Sequence, residues 1–305
     1  MSSNPPNPAG PAQGYQCPWC GKVSDPQQNT SCPACGSPLD VRTIVSESGW
    51  YELPAIKDMA RIQFGKSACQ IEGKYTPVAD MNLALGDSVY FSHHILLWKD
   101  PAVDIKAMSL KGAWSRVFAG LPLIMTEAHG PGHIAFSRDE PGEMIALPLN
   151  PGQAVDVREH VFMVATGSVA YDWFQTNIWF QTGTGDDRET NYPLGQFMDR
   201  FQAAQGPGLL LLHGAGNVFV RQLAPGQAIL IKPTSLLYKD PSVNMHLHIE
   251  HPGGTWRSWR SWGERYLWLR LIGPGRVAVQ SAYAHMEDKG SSLTGVSYST
   301  TRVQW

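Results

Sequence analysis

Four cysteines near the N-terminus are the residues whose type and spacing most directly indicate chemistry. Cys17 and Cys20 form one C-x-x-C pair, and Cys32 and Cys35 form a second pair after eleven intervening residues. Two such pairs supply the four thiolates of a tetrahedral structural zinc site. A unit of this size cannot bury a core, so the metal must supply its folding free energy. We therefore predict a zinc ribbon over residues 15–40, with one structural Zn²⁺ per chain bound by these four cysteines.

Other uses of the four cysteines fit the sequence less well. Two disulfides need an oxidising compartment, but the N-terminal residues lack the basic and apolar regions of a signal peptide. A redox C-x-x-C is typical of a βαβ context, which is missing around these pairs. Cys69 stands alone in a strand-like stretch and is expected to be a buried thiol. We expect a cytoplasmic protein of bacterial type without a transmembrane segment, since no apolar run reaches about 18 residues.

Two histidines offer a second candidate for metal chemistry. His246 and His248 alternate along a predicted strand and therefore share one face, with Glu250 close behind. A cupin-like metalloenzyme uses such a pair, but it also needs an acid further along the chain and a third histidine on a later strand. We keep this metalloenzyme as the weakest of three functional hypotheses and expect surface or interface histidines here.

A tryptophan- and arginine-rich stretch could serve either nucleic acid or a protein interface. It comprises Trp256, Arg257, Trp259, Arg260, Trp262, Arg265, Trp268 and Arg270. Both residue types stack on single-stranded bases, and both are enriched at protein interfaces. The net charge of −2, from 24 Lys and Arg against 26 Asp and Glu, gives no electrostatic footprint for a phosphate backbone. We therefore favour the interface.

No set of acid, base and nucleophile occurs at a convincing spacing. The sequence has no G-x-S-x-G nucleophile elbow, no H-E-x-x-H metalloprotease motif and no P-loop. We therefore predict that the protein is not an enzyme.

The composition indicates many short strands and a partly covered surface. Charged residues make up 16% of the 305-residue chain, against about 25% in an average soluble protein. The chain also has 30 Gly and 23 Pro, which favour turns. Oligomerisation is the simplest way to cover a surface with so little charge.

An internal repeat organises the middle and end of the chain. Its anchors are three glycines, Gly86, Gly152 and Gly226, each with a leucine three residues before it. An apolar segment follows ten to twelve residues after each glycine: Leu96–Trp98, Phe162–Val164 and Leu236–Tyr238. We predict a strand-connecting turn at each glycine and strands on either side.

A second anchor is a G-x-G turn, which we place at 130–132, 214–216 and 273–275. Segments 114–118, 197–201 and 256–262 precede these turns and are predicted as short helices or turns. The resulting organisation is a disordered leader (1–14), the zinc ribbon (15–40), a linker (41–57), three β modules (58–135, 136–219 and 220–282) and a C-terminal tail (283–305). Three tandem modules in one chain predict pseudo-threefold symmetry.

The repeated L-x-P-G-[QE] turns, the W-S-R-V-F-A-G segment and the S-W-G-E-R-Y-L-W-L-R-L-I-G-P-G-R-V-A-V-Q segment resemble one known family. Residues 58–285 resemble the altered inheritance of mitochondria protein 24 family, which is grouped with the tryptophan RNA-binding attenuation protein-like fold. The resemblance implies a mainly β protein of three attenuation-protein-like β-sandwich modules. It also implies trimers that form a nine-module ring, with no enzymatic activity. The chain departs from the family in its zinc ribbon and in an insertion at 182–192.

We therefore predict a non-enzymatic, ring-forming homotrimeric β scaffold or adaptor. Its zinc ribbon would be a docking unit for a protein partner, and nucleic acid is not expected as a partner. The alternative is a ligand- or RNA-binding regulatory module, by analogy with the attenuation protein. The cupin-like metalloenzyme is the third hypothesis.

Overall fold

The computed structural model describes residues 15–16, 22–24, 32, 34, 43–45, 50–52, 60–108, 125–182, 189–250 and 266–283. Predictions for the other residues, including segments 114–118 and 256–262, lie outside this part. The described chain is mainly β, with two short 3-10 helices at His93–Ile95 and Pro233–Ser235. None of its helices is long and apolar enough to cross a bilayer.

Six strands precede the repeated part of the chain. They are β1 (Tyr15–Gln16), β2 (Val23–Ser24), β3 (Thr43–Val45), β4 (Trp50–Glu52), β5 (Ala60–Phe64) and β6 (Ser67–Glu72).

Three sets of six strands follow, with one small hairpin inside the second set. The first set is β7 (Val78–Leu83), β8 (Ser88–Ser92), β9 (Leu96–Lys99), β10 (Asp104–Ala107), β11 (Met125–His129) and β12 (Gly132–Ser137). The second is β13 (Gly142–Leu149), β14 (Ala154–Arg158), β15 (Phe162–Thr166), β16 (Val169–Gln175), the hairpin β17 (Phe180–Thr182) and β18 (Glu189–Asn191), then β19 (Phe197–Ala203) and β20 (Gly208–Ala215). The third is β21 (Val218–Leu223), β22 (Ala228–Ile231), β23 (Leu236–Lys239), β24 (Asn244–Glu250), β25 (Tyr266–Ile272) and β26 (Gly275–Gln280).

The strands of each set pair in the same pattern. The first strand pairs with the sixth and the sixth with the third, while the second pairs with the fifth and the fifth with the fourth. All of these pairings are antiparallel. The turn between the first and second strands holds Gly86, Gly152 or Gly226, with φ of 91°, 81° and 74°. These values lie in the left-handed region that glycine adopts at least cost, which explains the repeated residue.

Each junction between consecutive sets is a strand pair. The second strand of one set pairs with the third strand of the next, so β8 pairs with β15 and β14 with β23. As a result, strands from neighbouring sets share a sheet. The four large sheets have the orders β5-β6-β7-β12-β9, β10-β11-β8-β15-β20-β13, β16-β19-β14-β23-β26-β21-β4-β3 and β22-β25-β24. We refer to them below as the first to fourth sheets.

Three apolar cores lie between successive sheets. Phe91, Phe136 and Leu211 belong to the core between the first and second sheets. Phe162, Phe201 and Tyr238 are part of the core between the second and third. Leu236, Val277 and Leu269 belong to the smaller core between the third and fourth. Because each middle sheet has apolar side chains on both faces, it contributes to two cores, and the four sheets are stacked in sequence order.

Two details of the predicted repeat are wrong. Residues 197–201, expected to be a short helix or turn, belong to strand β19, whose alternating buried residues pack into a core. The G-x-G turn of the second set is Gly206-Pro207-Gly208, which joins β19 to β20. The predicted anchor at 214–216 instead joins β20 to β21 and links two sets. The prediction failed because residues 206–208 and 214–216 both have the pattern G-x-G, and the spacing alone did not distinguish them.

Candidate interface at two open strand edges

Among the end strands of the described sheets, two have equivalents in the other sets that are paired on both sides by strands of the three sets. Strand β9 ends the first sheet, and strand β22 ends the fourth. β9 is the third strand of the first set, and β22 is the second strand of the third set. These are the two strand positions that pair wherever consecutive sets meet, so the two open edges are complementary to each other.

Apolar side chains on β9 are exposed, whereas their equivalents are buried. Leu97 and Trp98 are 52% and 49% exposed. At the same positions after the anchor glycine, Met163 and Val164 are completely buried, and Leu237 and Tyr238 are at most 2% exposed. The buried residues lie at junctions between sets. The exposed pair therefore marks a junction that the described part of the chain leaves open.

The opposite edge shows the same contrast. Leu230 of β22 is 41% exposed, whereas its equivalents Tyr90 and Asp156 are 3% and 0% exposed. Tyr266, on the same face of the neighbouring strand β25, is also exposed. Both edges therefore display apolar surface that the equivalent edges inside the chain bury.

The two closed junctions share one register. Val164 lies opposite Phe91, and Tyr238 lies opposite Val157. In each pair, one residue lies twelve positions after the anchor glycine of its own set. Its partner lies five positions after the anchor glycine of the preceding set. Applied to the open edges, this rule places Trp98 opposite Ile231.

The junction between the second and third sets contains a buried ionic group. Asp156 accepts hydrogen bonds from Lys239 Nζ at 2.8 Å and from Arg200 Nε and Nη2 at 2.6 and 3.0 Å. Burial lowers the pKa of Lys239, and the charge of Asp156 partly opposes that shift. The hydrogen bond to Asp156 raises the pKa of Arg200. Three side chains from two sets are therefore joined at the carboxylate of Asp156.

The outer face of the fourth sheet carries an aromatic and cationic patch. The rings of Tyr266 and Trp268 stack with centroids 6.0 Å apart, and Lys232 Nζ lies 5.3 and 4.7 Å from the two centroids. Trp268 Nε1 donates a hydrogen bond to Glu250 at 2.8 Å. Such a surface suits a protein partner or a stacking ligand.

The predicted histidine pair lies on this face. The register places His246 opposite Arg270 and His248 opposite Trp268, so both histidines share one face as the sequence indicated. Burial, followed by the charge of Arg270, lowers the pKa of His246. Glu250 is engaged by Trp268 rather than directed at the histidines. Within the described residues, no three potential ligands come together to hold a metal ion.

Part of the predicted zinc ribbon is described. Cys32 is buried, whereas Cys17, Cys20 and Cys35 lie outside the described residues. Strands β1 and β2 form an antiparallel pair in which Gln16 lies opposite Val23, so the first C-x-x-C falls in the connection between them. The ribbon remains a prediction.

Sequence reasoning missed both the open edges and the ionic group. The repeat alignment already placed Leu96–Trp98 beside two apolar segments, but it did not reveal which copies would lack a neighbour. Asp156 and Lys239 also had a signal, because each is a charged residue inside an apolar strand. Their pairing depends on the contact between two sets, because the two residues lie 83 positions apart in the sequence.

Comparison with known proteins places this fold in a family. Residues 69–282 match the family described as mitochondrial biogenesis AIM24. An X-ray crystal structure of a Streptococcus pyogenes protein is similar in fold, with a TM-score of 0.51 and 19% identity, over 71% of this chain and 94% of that one. The comparison with curated proteins gives no match. Because the family match spans well over half of the sequence, the chain belongs to the AIM24 family.

Proposed function

We propose that the protein is a non-enzymatic scaffold that assembles head to tail into a closed ring, with three copies as the expected number. The observation that carries this proposal is the pair of open, apolar and complementary edges on β9 and β22. Since β9 of one copy has the same role as β15 and β23, it can add to β22 of the next copy. The contact is heterologous and forms a ring when the rotation closes.

Two physical effects favour this assembly. Pairing the strands satisfies the open backbone N–H and C=O groups of both edges. It also covers Leu97 and Trp98 on one copy and Leu230 on the other. Full burial of such a side chain contributes about 1.5–3 kcal/mol, and each of these is already about half buried, so each contributes roughly half of that. The low charge of the chain has the same explanation, because part of its surface then lies between copies.

The zinc ribbon is proposed as a docking unit outside the ring. Its four cysteines, Cys17, Cys20, Cys32 and Cys35, hold one structural Zn²⁺, which stabilises a fold too small to form a core. The ion supplies stability rather than chemistry, because four thiolates leave no open position for a substrate. A protein partner bound there in the cytoplasm would be brought to the ring.

The stacked Tyr266 and Trp268 favour a second candidate function, a ligand- or RNA-binding module. Stacked rings beneath a lysine are suited to a nucleobase. A Trp268→Ala variant that lost salt-dependent binding of a single-stranded RNA probe would support this alternative over the scaffold.

Light scattering after size-exclusion chromatography tests the ring. We expect three times the chain mass of 33.6 kDa at micromolar concentration. Trp98→Glu introduces a charge at the open edge of β9 and should give a folded monomer. Leu85→Glu is the matched control, because Leu85 is more exposed than Trp98 but lies in the turn before β8, and its equivalent Pro151, in the turn before β14, stays exposed at a closed junction. A wild-type monomer, or equal masses for the Trp98 and wild-type proteins, contradicts the proposal.

A further inference from the structure

The charged side chains around each closed junction lie in rows that cross the sheet. At the junction between the second and third sets, the row runs Asp172, Arg200, Asp156 and Lys239 on β16, β19, β14 and β23. Negative and positive charges alternate along this row. Its buried members therefore have opposite charges beside them, as buried ions require.

The row at the other closed junction is also neutral. It runs Lys106, Glu127, Tyr90 and Ala165 on β10, β11, β8 and β15. One cation and one anion lie side by side at its outer end, and the two positions nearest the junction are uncharged. No charge has to be buried there without a partner.

The row at the open edge differs in sign. It runs His246, Arg270 and Leu230 on β24, β25 and β22. If the register of the closed junctions is kept, the next member is Lys99 of the second copy. Arg270 and Lys99 hold the positions of Arg200 and Lys239, but Leu230 replaces the carboxylate of Asp156 between them.

Two observations support this equivalence. Lys99 Nζ donates to the carbonyl oxygen of Asp100 at 3.3 Å, as Lys239 Nζ does to that of Asp240 at 3.4 Å. Both ammonium groups therefore lie beside the carbonyl of the aspartate that follows, and Lys99 Nζ also donates to the carbonyl oxygen of Val103 at 3.0 Å. The positive charge of Arg270 also acts on its neighbour His246, lowering the pKa of that histidine after the larger effect of burial. Within the described residues, no ion pair of Arg270 compensates this charge.

We propose that a small oxyanion, with a carboxylate or phosphate group, binds between copies of the protein and is held by Arg270 of one copy and Lys99 of the next. This inference rests on the proposed ring, because neither copy has the complete site. The guanidinium fork of Arg270 offers two parallel N–H donors to one oxyanion, and the ammonium of Lys99 adds a third. The anion lies beside Leu230 and supplies the negative charge that Asp156 provides at the equivalent junction, and it links assembly to the concentration of a soluble anion.

Dissociation of the assembly on dilution tests the site, with inorganic phosphate or acetate as the probe against chloride at constant pH and ionic strength. We expect phosphate at ten times its dissociation constant to lower the dissociation concentration about tenfold per site, since binding only to the assembly stabilises it by mass action. Arg270→Gln and Lys99→Met should each abolish this phosphate effect. Leu230→Asp should also abolish the phosphate effect, because the new carboxylate replaces the anion. The assembly of this variant in chloride should be at least as stable as the wild-type assembly in phosphate.

The matched control is Lys106→Met, which removes a cation from the neutral row and should leave the phosphate effect intact. Acetate in place of phosphate shows whether a carboxylate suffices, and an effect of either anion supports the shared chemistry. An assembly that forms equally well in chloride, phosphate and acetate overturns the anion site but leaves the ring in place. A protein that is monomeric in all three overturns both proposals. Near-ultraviolet circular dichroism of each variant identifies loss of fold. If Arg270→Gln or Lys99→Met does not fold, Arg270→Lys and Lys99→Arg are used instead and should retain a weaker phosphate effect.

Discussion

Lys239 Nζ lies 2.8 Å from Asp156 Oδ2, in an ion pair whose two side chains are almost completely buried. The two residues come from different strand sets, and Arg200 adds a bidentate contact to the same carboxylate. Without Asp156, Lys239 would be a buried and uncompensated charge, which is costly, whereas the Arg200 side chain is 40% exposed. The carboxylate is therefore the point on which the junction between the second and third sets depends.

Asp156→Ala should lower the free energy of unfolding by about 3–5 kcal/mol, because it leaves Lys239 buried without a counter-charge. The free energy of unfolding from urea denaturation measures this change. Lys239→Met should cost less, since Arg200 still compensates Asp156. The double variant Asp156→Leu with Lys239→Met should recover much of the loss, because apolar replacement of a buried pair is often neutral. A double variant as unstable as Asp156→Ala alone contradicts the explanation.

His213 should make stability depend on pH below neutrality. Its ring is buried in β20, and Nε2, as the N–H donor, bonds the carbonyl oxygen of Glu140 at 3.2 Å. Burial, followed by the charge of Arg138, lowers the pKa of His213. The unfolded chain therefore takes up this proton at about pH 6.5, while the folded chain resists it. The stabilisation is fully present above about pH 6.5 and is lost as the pH falls towards the lowered pKa.

Denaturation midpoints between pH 7.5 and 5 measure this effect. His213→Gln keeps an N–H donor for Glu140 but does not titrate, so its stability should fall less steeply below pH 6.5. Some slope will remain, because the pKa values of His94 and His246 are also lowered. Equal slopes for the variant and the wild type would show that His213 does not contribute.

The glycine turns and the strands beside them could be predicted from the sequence because the same local signals recur. The glycines at 86, 152 and 226 are needed by the backbone, and the apolar segments after them alternate with the period of a strand. The contacts between copies could not be predicted in the same way. Whether Trp98 is exposed depends on which strand lies beside β9, and this depends on how the strand sets are arranged rather than on any local segment. The ion pair of Asp156 is also invisible locally, because its partner is in the next copy.

Gly130 and Gly273 should be intolerant of alanine to a similar degree. A Cβ atom at Gly130 would lie 2.4 Å from the carbonyl oxygen of Ala84, and at Gly273 it would lie 2.4 Å from that of Ala224. A backbone oxygen cannot move away as a side-chain end can, so each substitution should cost about 3 kcal/mol, the upper end of overpacking. Gly226→Ala is the control. It meets no atom within 4 Å, and it should cost only about 1 kcal/mol for its left-handed backbone. Thermal unfolding of the three variants checks this order, and a control as unstable as the other two contradicts it.

The purified protein should contain one zinc ion per chain, which metal analysis can measure. Cys17→Ser removes one of four thiolate ligands and should reduce zinc content, while the β sheets formed by β5 to β26 keep their circular dichroism. Cys69→Ser is the matched control and should leave the zinc content unchanged. Cys69 is completely buried between two strands, and burial, followed by the charge of Asp80, raises the pKa of its thiol. Because the thiolate is the reactive form, a thiol reagent added with a chelator should label the four ribbon cysteines first and Cys69 only after unfolding. Zinc that survives Cys17→Ser, or a Cys69 that reacts in the folded protein, would refute this division of the five cysteines.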